Sequence, residues 1–254
     1  MVLDDLGTPL ASTRPPRRVV SLVPSLTEAI ATTAPELLVG ATKYCTHPAD
    51  LDVTRVGGSK YPSVDDILAL RPDLVLANAE ENRREDAEAL RAAGVSVWVT
   101  FPRTVAGALD SLGRMFDALQ VPHPAWLAEA RRVWAAPPAP PRGRHVTVVW
   151  RRPWVTVGPD TFASDVLRRL GWLNAFTDPD QRYPRPGIAD IHALQPDLVV
   201  LPDEPYAFSA DDGPESFPGV PCALVSGRHL TWYGPSLVDA HAVLARQIPS
   251  AVLE

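Results

Sequence analysis

Short runs of Leu, Ile and Val recur along the chain, separated by stretches whose apolar positions repeat every three or four residues. Residues 19–23, 38–41, 74–77, 95–100, 145–150, 154–157, 198–201 and 222–225 read as strands. Their apolar positions are continuous and do not alternate with polar ones, which fits strands covered on both faces of a parallel sheet. Between them, residues 87–93 read as a helix stopped by Gly94, and residues 161–170 as a helix stopped by Gly171. Ser25 and Glu28 have the spacing of a capping box and predict a helix opening at Ser25. Strands alternating with helices predict an α/β fold with a parallel sheet in each half of the chain.

The two halves share a segment. Residues 66–76 read DILALRPDLVL and residues 190–200 read DIHALQPDLVV, with eight of the first ten positions identical. Each copy is a short helix ended by Pro72 or Pro196, followed by an apolar strand. A match half a chain apart predicts two related lobes and not a solenoid. Residues 104–136 carry apolar positions at helical spacing, broken into two helices by Pro122 and Pro124, and lead into a proline tract at 137–141 that reads as a stiff connector. The predicted organisation is a disordered or extended tail over 1–16, a first lobe over 17–120, an interlobe helix with its Pro-rich connector over 121–143, and a second lobe over 144–254.

Composition narrows the function by exclusion. The chain has 254 residues, 46% hydrophobic and 21% charged, with a net charge of −6. Its arginines are scattered, so it lacks the clustered basic surface that grips nucleic acid. Cys45 and Cys222 form no paired motif, so no disulfide framework is expected. No stretch reaches the roughly 20 apolar residues of a membrane helix. Residues 1–18 place acidic residues first and basic residues last, the reverse of a secretory signal. As written the chain reads as cytoplasmic; it reads as extracytoplasmic if an export signal lies outside it.

No catalytic pattern stands out. Gly57 and Gly58 lack the spacing of a phosphate loop. Cys45 and His47 share a loop, but no third group orients a base, and two donors do not close a metal site. His229, near Trp232, has the same standing, and His123, His145, His192 and His241 read as structural. Metal ligation by His47 is the weaker of its two readings; a polar loop residue is the other.

Ligands of open parallel sheets sit beyond the carboxyl ends of the strands. In the first half that rule selects Ser25, Tyr44, Cys45, His47, Asn82 and Arg83; in the second, Trp150, Arg151, Trp154, Phe162, Glu204, Tyr206, Trp232 and Tyr233. The set is aromatic and mixed in charge, which suits a large flat ligand oriented by a few polar groups. Tyr44 and Tyr61 flank turns and read as site residues. Trp150, Trp154 and Trp232 read equally as site or core, and Arg83 and Arg151 equally as site or solvated surface. Trp98, Trp126, Trp134 and Trp172 lie inside elements and read as core.

Several ordered stretches together resemble one family: RRVVSLVPSLTEAI (17–30), VGATKYCTHP (39–48), VGGSKYPSVDDILALRPDLVLA (56–77), ENRREDAEALRAAGVSVW (81–98), TVGPDTFASDVLRRLG (156–171) and IADIHALQPDLVVLPDEPY (188–206). From Arg17 onward the chain resembles the helical-backbone metal receptor superfamily, the class III periplasmic binding proteins that serve cobalamin and ferric-siderophore ABC importers, and most of all its cobalamin-binding branch. The resemblance implies two Rossmann-like lobes joined by a rigid interlobe helix, a ligand in the interlobe cleft, and no catalysis. It places Ser59, Lys60 and Tyr61 opposite the other site residues. It implies no intrinsic cofactor, a corrinoid or metal-chelate ligand, a monomer, and docking on a permease through Asp65, with Asp66 beside it, and a second acid near Asp190. The alternative is a cytoplasmic cofactor-handling or regulatory protein that reuses the same fold.

Overall fold

The computed structural model describes residues 2–10 and 14–248. The chain divides into two compact units. Unit 1 holds the chain up to Pro102, then Gly107–Arg131 and Tyr233–Pro235; unit 2 holds Arg103–Ala106, Arg132–Trp232 and the chain from Ser236 onward. The main division in sequence falls between Arg131 and Arg132. The two short exchanged segments, 103–106 and 233–235, have no counterpart in the sequence reading.

Unit 1 is built on a five-stranded sheet of β1 (Val19–Ser21), β2 (Leu38–Ala41), β3 (Thr54–Arg55), β4 (Leu74–Asn78) and β5 (Ser96–Thr100), in the order β3-β2-β1-β4-β5. Every pairing is parallel. β4 is buried along its whole length, as its unalternated apolar run requires. Val20, Val75, Val97 and Val99 from the sheet pack with Ile67 of helix α2 (Val64–Ala69) and Leu90 of α3 (Arg84–Ala92). α3 carries Glu85 and Asp86 in its first turn and Arg91 in its last, matching the helix dipole, and Gly94 with φ +84° takes the left-handed position that follows it.

The first helix, α1 (Pro24–Thr33), corrects the capping-box expectation. Val23 is the N-cap and no side chain caps the helix. Pro24 takes the first position, where its missing N–H costs nothing, and Ser25 and Glu28 are instead buried in the first turns.

The tail expectation also fails for residues 2–9. Leu3 and Pro9 bridge, and this small hairpin lies along the free edge of β5. The amide of Asp5 donates to the Val99 carbonyl at 3.1 Å, and the amide of Val99 donates to an Asp4 carboxylate oxygen at 3.1 Å. Asp5 then accepts from the Phe101 amide (2.7 Å), the Ser111 hydroxyl (2.8 Å) and the Arg114 guanidinium (2.6 Å) on α4 (Val105–Leu119). Two acidic residues at the start of the chain thus act as edge partners and not as a solvated tail. The part of the tail at 11–13 lies outside the described residues.

Unit 2 repeats the plan with one change. β6 (Gly143–Trp150), β8 (Trp172–Asn174), β9 (Leu198–Pro202) and β10 (Cys222–Val225) run parallel, with β6 between β8 and β9. β7 (Val155–Thr156) instead pairs antiparallel with the end of β6. The expectation of a wholly parallel sheet is therefore corrected: residues 151–154 form a turn too short for a crossover, so the chain folds back as a hairpin. Val146, Val148, Val199 and Leu201 pack with Ile191 of α7 (Ile188–Ala193), Phe208 and Phe217. Around the sheet lie α6 (Phe162–Arg169), capped by the Thr161 side chain, α8 (Gly227–Thr231) and α9 (Leu237–Gln247). Between the main parts of the two units in sequence lies α5 (Ala125–Val133), followed by the proline tract.

The repeated segment is a structural staple in both units. Arg71 and Gln195 occupy matching positions, each with positive φ (48° and 47°), and turn the chain out of α2 and α7 ahead of Pro72 and Pro196. Asp73 accepts from the amides of Arg17 and Arg18, and Asp197 accepts from the amide of Arg144. Arg18 and Arg144 return the contact by donating to the last carbonyls of those helices, Leu70 and Leu194. The Pro-Asp of the motif thus fixes where the first strand of each unit begins.

One buried polar group shapes stability. His145 on β6 is fully buried; its Nδ1 faces the Thr147 hydroxyl at 3.0 Å, and its Nε2 has no partner among the described residues. Burial holds the imidazole down to about 3. Below its ordinary value near 6.5 the unfolded chain takes a proton that the folded chain refuses, so stability falls as the pH drops from about 6.5 towards 3, by at most about 1.4 kcal/mol per unit. Urea unfolding of His145→Leu across pH 4–8 should match the parent near pH 8 to about 1 kcal/mol and exceed it at pH 4–5. Parallel pH profiles of the two proteins would exclude this role.

Candidate functional site

In unit 1 the chain crosses from β1 towards β2 on one side and later from β4 towards β5 on the other. The strand order therefore reverses between β1 and β4, and the carboxyl ends of these two strands are where such a sheet offers a ligand crevice. Asn78 ends β4 there and is a buried hub. Its carboxamide oxygen accepts from the amides of Glu80 (2.7 Å) and Glu81 (3.2 Å), and its nitrogen donates to the Tyr233 hydroxyl at 2.7 Å. Tyr233 also meets the Thr100 hydroxyl at 2.9 Å. Asn82 accepts from the Asn78 amide and donates to the Ser59 carbonyl at 2.8 Å, tying the loop after β4 to the turn at 57–61.

Two tyrosines on this edge are exposed. Tyr44 is 56% and Tyr61 68% exposed, although both are large apolar rings. They flank the turn at Gly58, where an added Cβ would stand 3.4 Å from the Tyr44 ring. The Lys43 ammonium lies 5.2 Å from the centre of the Tyr44 ring, and the Arg83 guanidinium 5.3 Å from that of Tyr61. Arg83 is also held by both carboxylate oxygens of Asp86 at 3.1 Å.

In unit 2 the reversal lies between β6 and β9. Trp150 ends β6, is 44% exposed, and meets Tyr206 edge-on at 5.7 Å. Tyr206 in turn packs on Phe208 at 4.6 Å and donates to Asp212 at 2.6 Å. Arg151 anchors this loop. Its guanidinium pairs with Asp212 and Glu215, donates to the Ser216 hydroxyl, and lies 5.2 Å from the Trp154 ring centre. Glu204, two residues past β9, is half-buried, and desolvation raises its carboxyl above the usual range; the nearby Trp232 indole and Arg228 only partly offset this.

A model of the periplasmic binding protein family matches residues 19–217. The chain belongs to that family. Among curated relatives, the vitamin B12-binding protein of Vibrio cholerae is 25% identical over 209 residues, covering 78% of this chain and 75% of its own. Among solved structures, the periplasmic haem-binding protein BhuT in complex with two haems is 27% identical with a TM-score of 0.72, covering 92% of this chain and 98% of that one. CeuE of Helicobacter pylori, as a Ni-His complex, is 15% identical with a TM-score of 0.79, covering 97% of this chain and 87% of that one, a likeness of fold.

Besides half-buried Glu204, the expected site residues of this family member separate into three groups. Tyr44, Tyr61, Lys60 and Trp150 are exposed at strand carboxyl ends, and His47, half-buried on the same loop as Tyr44, faces the Thr46 hydroxyl at 3.2 Å. Arg83, Arg151, Asn82, Trp154, Tyr206 and Ser59 sit at those ends but spend polar groups or rings on neighbours within their own unit. The third group is corrected to buried structural roles. Cys45 is fully buried, with the Thr27 and Thr42 hydroxyls at 3.0 and 3.2 Å from its sulfur, and burial raises its thiol. Tyr233 is buried against Asn78 and Thr100, and burial pushes its phenol far above the usual range. Ser25 and Phe162 are buried in the first turns of α1 and α6, and Trp232 is 7% exposed. Cys45 and Tyr233 are held by hydroxyl and carboxamide partners, which a strand-end rule does not foresee.

Sequence reasoning missed Asp212, Glu215 and Ser216, the partners of Arg151. They lie some 60 residues further on, in and just before a single 3-10 turn at Pro214–Ser216, and leave no periodic signal. Among the described residues no group of three His, Cys, Asp or Glu side chains could hold a metal ion. Asp65, Asp66 and Asp190 are exposed at the starts of α2 and α7. The helices align Asp190 with Asp66 and not with Asp65, and Asp190 also accepts from the Gly187 amide at 2.9 Å.

Proposed function

We propose that this chain binds a corrinoid or a ferric-siderophore or other metal-chelate ligand without transforming it, as the extracytoplasmic substrate-binding component of an ABC importer. The observation that carries the reading is the placement of exposed aromatic rings, Tyr44, Tyr61 and Trp150, at the carboxyl ends of the strands in both units. Rings held there at a cost in exposed apolar surface suit a flat, partly apolar ligand. The vitamin B12- and haem-binding relatives support the same ligand class. The missing cluster of three metal-binding side chains among the described residues favours a chelate over a bare ion. Docking on the permease would use the exposed acids Asp65, Asp66 and Asp190, and the binding unit would be a monomer.

Fluorescence titration with cyanocobalamin, cobinamide, hemin and a ferric siderophore should give a dissociation constant below about 100 μM for at least one. Tyr44→Ala and Trp150→Ala should each weaken that ligand about tenfold, the scale of one lost aromatic contact. Folded protein that binds none of the four would overturn the proposal.

A further inference from the structure

Of the chain's 24 Lys and Arg residues only two are lysine, Lys43 and Lys60. Each directly precedes one of the exposed tyrosines of unit 1, Tyr44 or Tyr61. Both lysines are themselves exposed. Arginines carry ion pairs throughout the chain, Arg83 with Asp86 among them, whereas neither lysine meets a carboxylate among the described residues.

The fold brings the two Lys-Tyr pairs to one turn. The Lys43 amide donates to the Gly57 carbonyl at 2.8 Å, and the Gly58 amide donates to the Tyr61 carbonyl at 3.2 Å. The Thr42 and Ser59 hydroxyls meet at 3.4 Å. Gly58 leaves the room this needs, since a Cβ there would stand 3.4 Å from the Tyr44 ring and 3.9 Å from Lys43 Cε. Two rings and two ammoniums therefore share one solvent-facing edge. Glu80 and Glu81 on the loop after β4 make the neighbouring part of this edge acidic, so an anionic group is favoured only at the lysines themselves.

The choice of lysine is itself informative. A guanidinium fork suits a fixed partner, and the arginines here have such partners. An ammonium is a compact point charge on a flexible stem, with three donors that can follow an anion arriving with a ligand. Like charges on one turn repel, and an anion bound to both removes that cost.

We propose that Lys43 and Lys60 form a clamp for acid groups at the rim of the ligand, so that Tyr44 and Tyr61 take a flat metal chelate bearing carboxylates in preference to one bearing neutral groups. The inference rests on the binding function proposed above and narrows its ligand class.

The test is equilibrium titration of the full chain with hemin and with its dimethyl ester, the same iron porphyrin with both carboxylates capped, in one dilute-detergent buffer. The parent should bind hemin about tenfold more tightly than the ester. Added salt should weaken hemin and leave the ester nearly unmoved. In the Lys43→Gln, Lys60→Gln double variant the preference should shrink to about threefold or less. The Lys43→Arg, Lys60→Arg variant keeps both charges and should keep most of the preference, which a general loss of folding would not allow. A parent that fails to prefer hemin, or a Gln double variant that prefers it as strongly as the parent, overturns the inference. A parent that binds another ligand of the earlier titration but not hemin also overturns it and leaves the binding function standing. A parent that binds none of these compounds removes both readings.

Discussion

Replacing Asp165 by alanine should cost roughly 3–5 kcal/mol of folding stability, the range for removing one partner of a buried charged network. Asp165 lies on α6 with its side chain 6% exposed. One oxygen accepts from the Val105 amide at 2.8 Å and so caps the start of α4; Arg169 approaches the same oxygen at 3.3 Å, and Arg168 holds the other through its Nε at 3.0 Å. Alanine would leave Arg169, only 17% exposed, without its carboxylate, and a buried amide without an acceptor. Asp165→Asn keeps an acceptor for Val105 and should lose less. Urea unfolding read by circular dichroism measures both. A loss below about 1 kcal/mol in the alanine variant would show that the network carries no net stability.

The second large effect concerns the start of the chain. Asp5→Ala should cost about 3 kcal/mol, because the Asp5 side chain is 8% exposed and its loss strands the Arg114 guanidinium, the Ser111 hydroxyl and the Phe101 amide together. Removing residues 1–9 goes further. It strips β5 of the pairing at Val99 and leaves a strand edge open to other chains. Sedimentation velocity should then show association that rises with concentration, where the full chain does not. A deletion variant that stays monomeric and as stable as the full chain would mean that the hairpin merely rests on β5.

The elements that were legible in the sequence are those whose physics is local. Residues 74–77 and 198–201 announce buried strands because no polar residue interrupts them, and the structure places them inside their sheets, each with a paired strand on both sides. Pro72 and Pro196 announce helix ends, and Cys222–Val225 is a strand as read. Misreadings arose where a distant partner overrides a local pattern. Ser25 has the look of a cap, yet Pro24 takes the helix start. Arg151 looks like a free cation on a strand end, yet Asp212 and Glu215 neutralise it from a segment with only one 3-10 turn. Asp4 and Asp5 look like a solvated tail until β5 is present to accept them. Exposure of the expected site residues was only partly legible: Tyr44 and Trp150, read from the strand-end rule, and Tyr61, read from the family resemblance, are exposed, whereas Cys45, Phe162 and Tyr233 are buried by packing that sequence order conceals.

Tyr233 bears on how the protein comes to be made. Its hydroxyl bonds Asn78 and Thr100, the last residues of β4 and β5, so unit 1 contains a piece of chain that follows almost all of unit 2. A ribosome delivers β1 to β5 first, but the carboxamide and hydroxyl at their ends must wait, solvated, until residue 233 has left the exit tunnel. Unit 1 is completed only when Tyr233 arrives, and a fragment ending at Arg131 would lack the phenol that bonds Asn78 and Thr100 at its sheet ends.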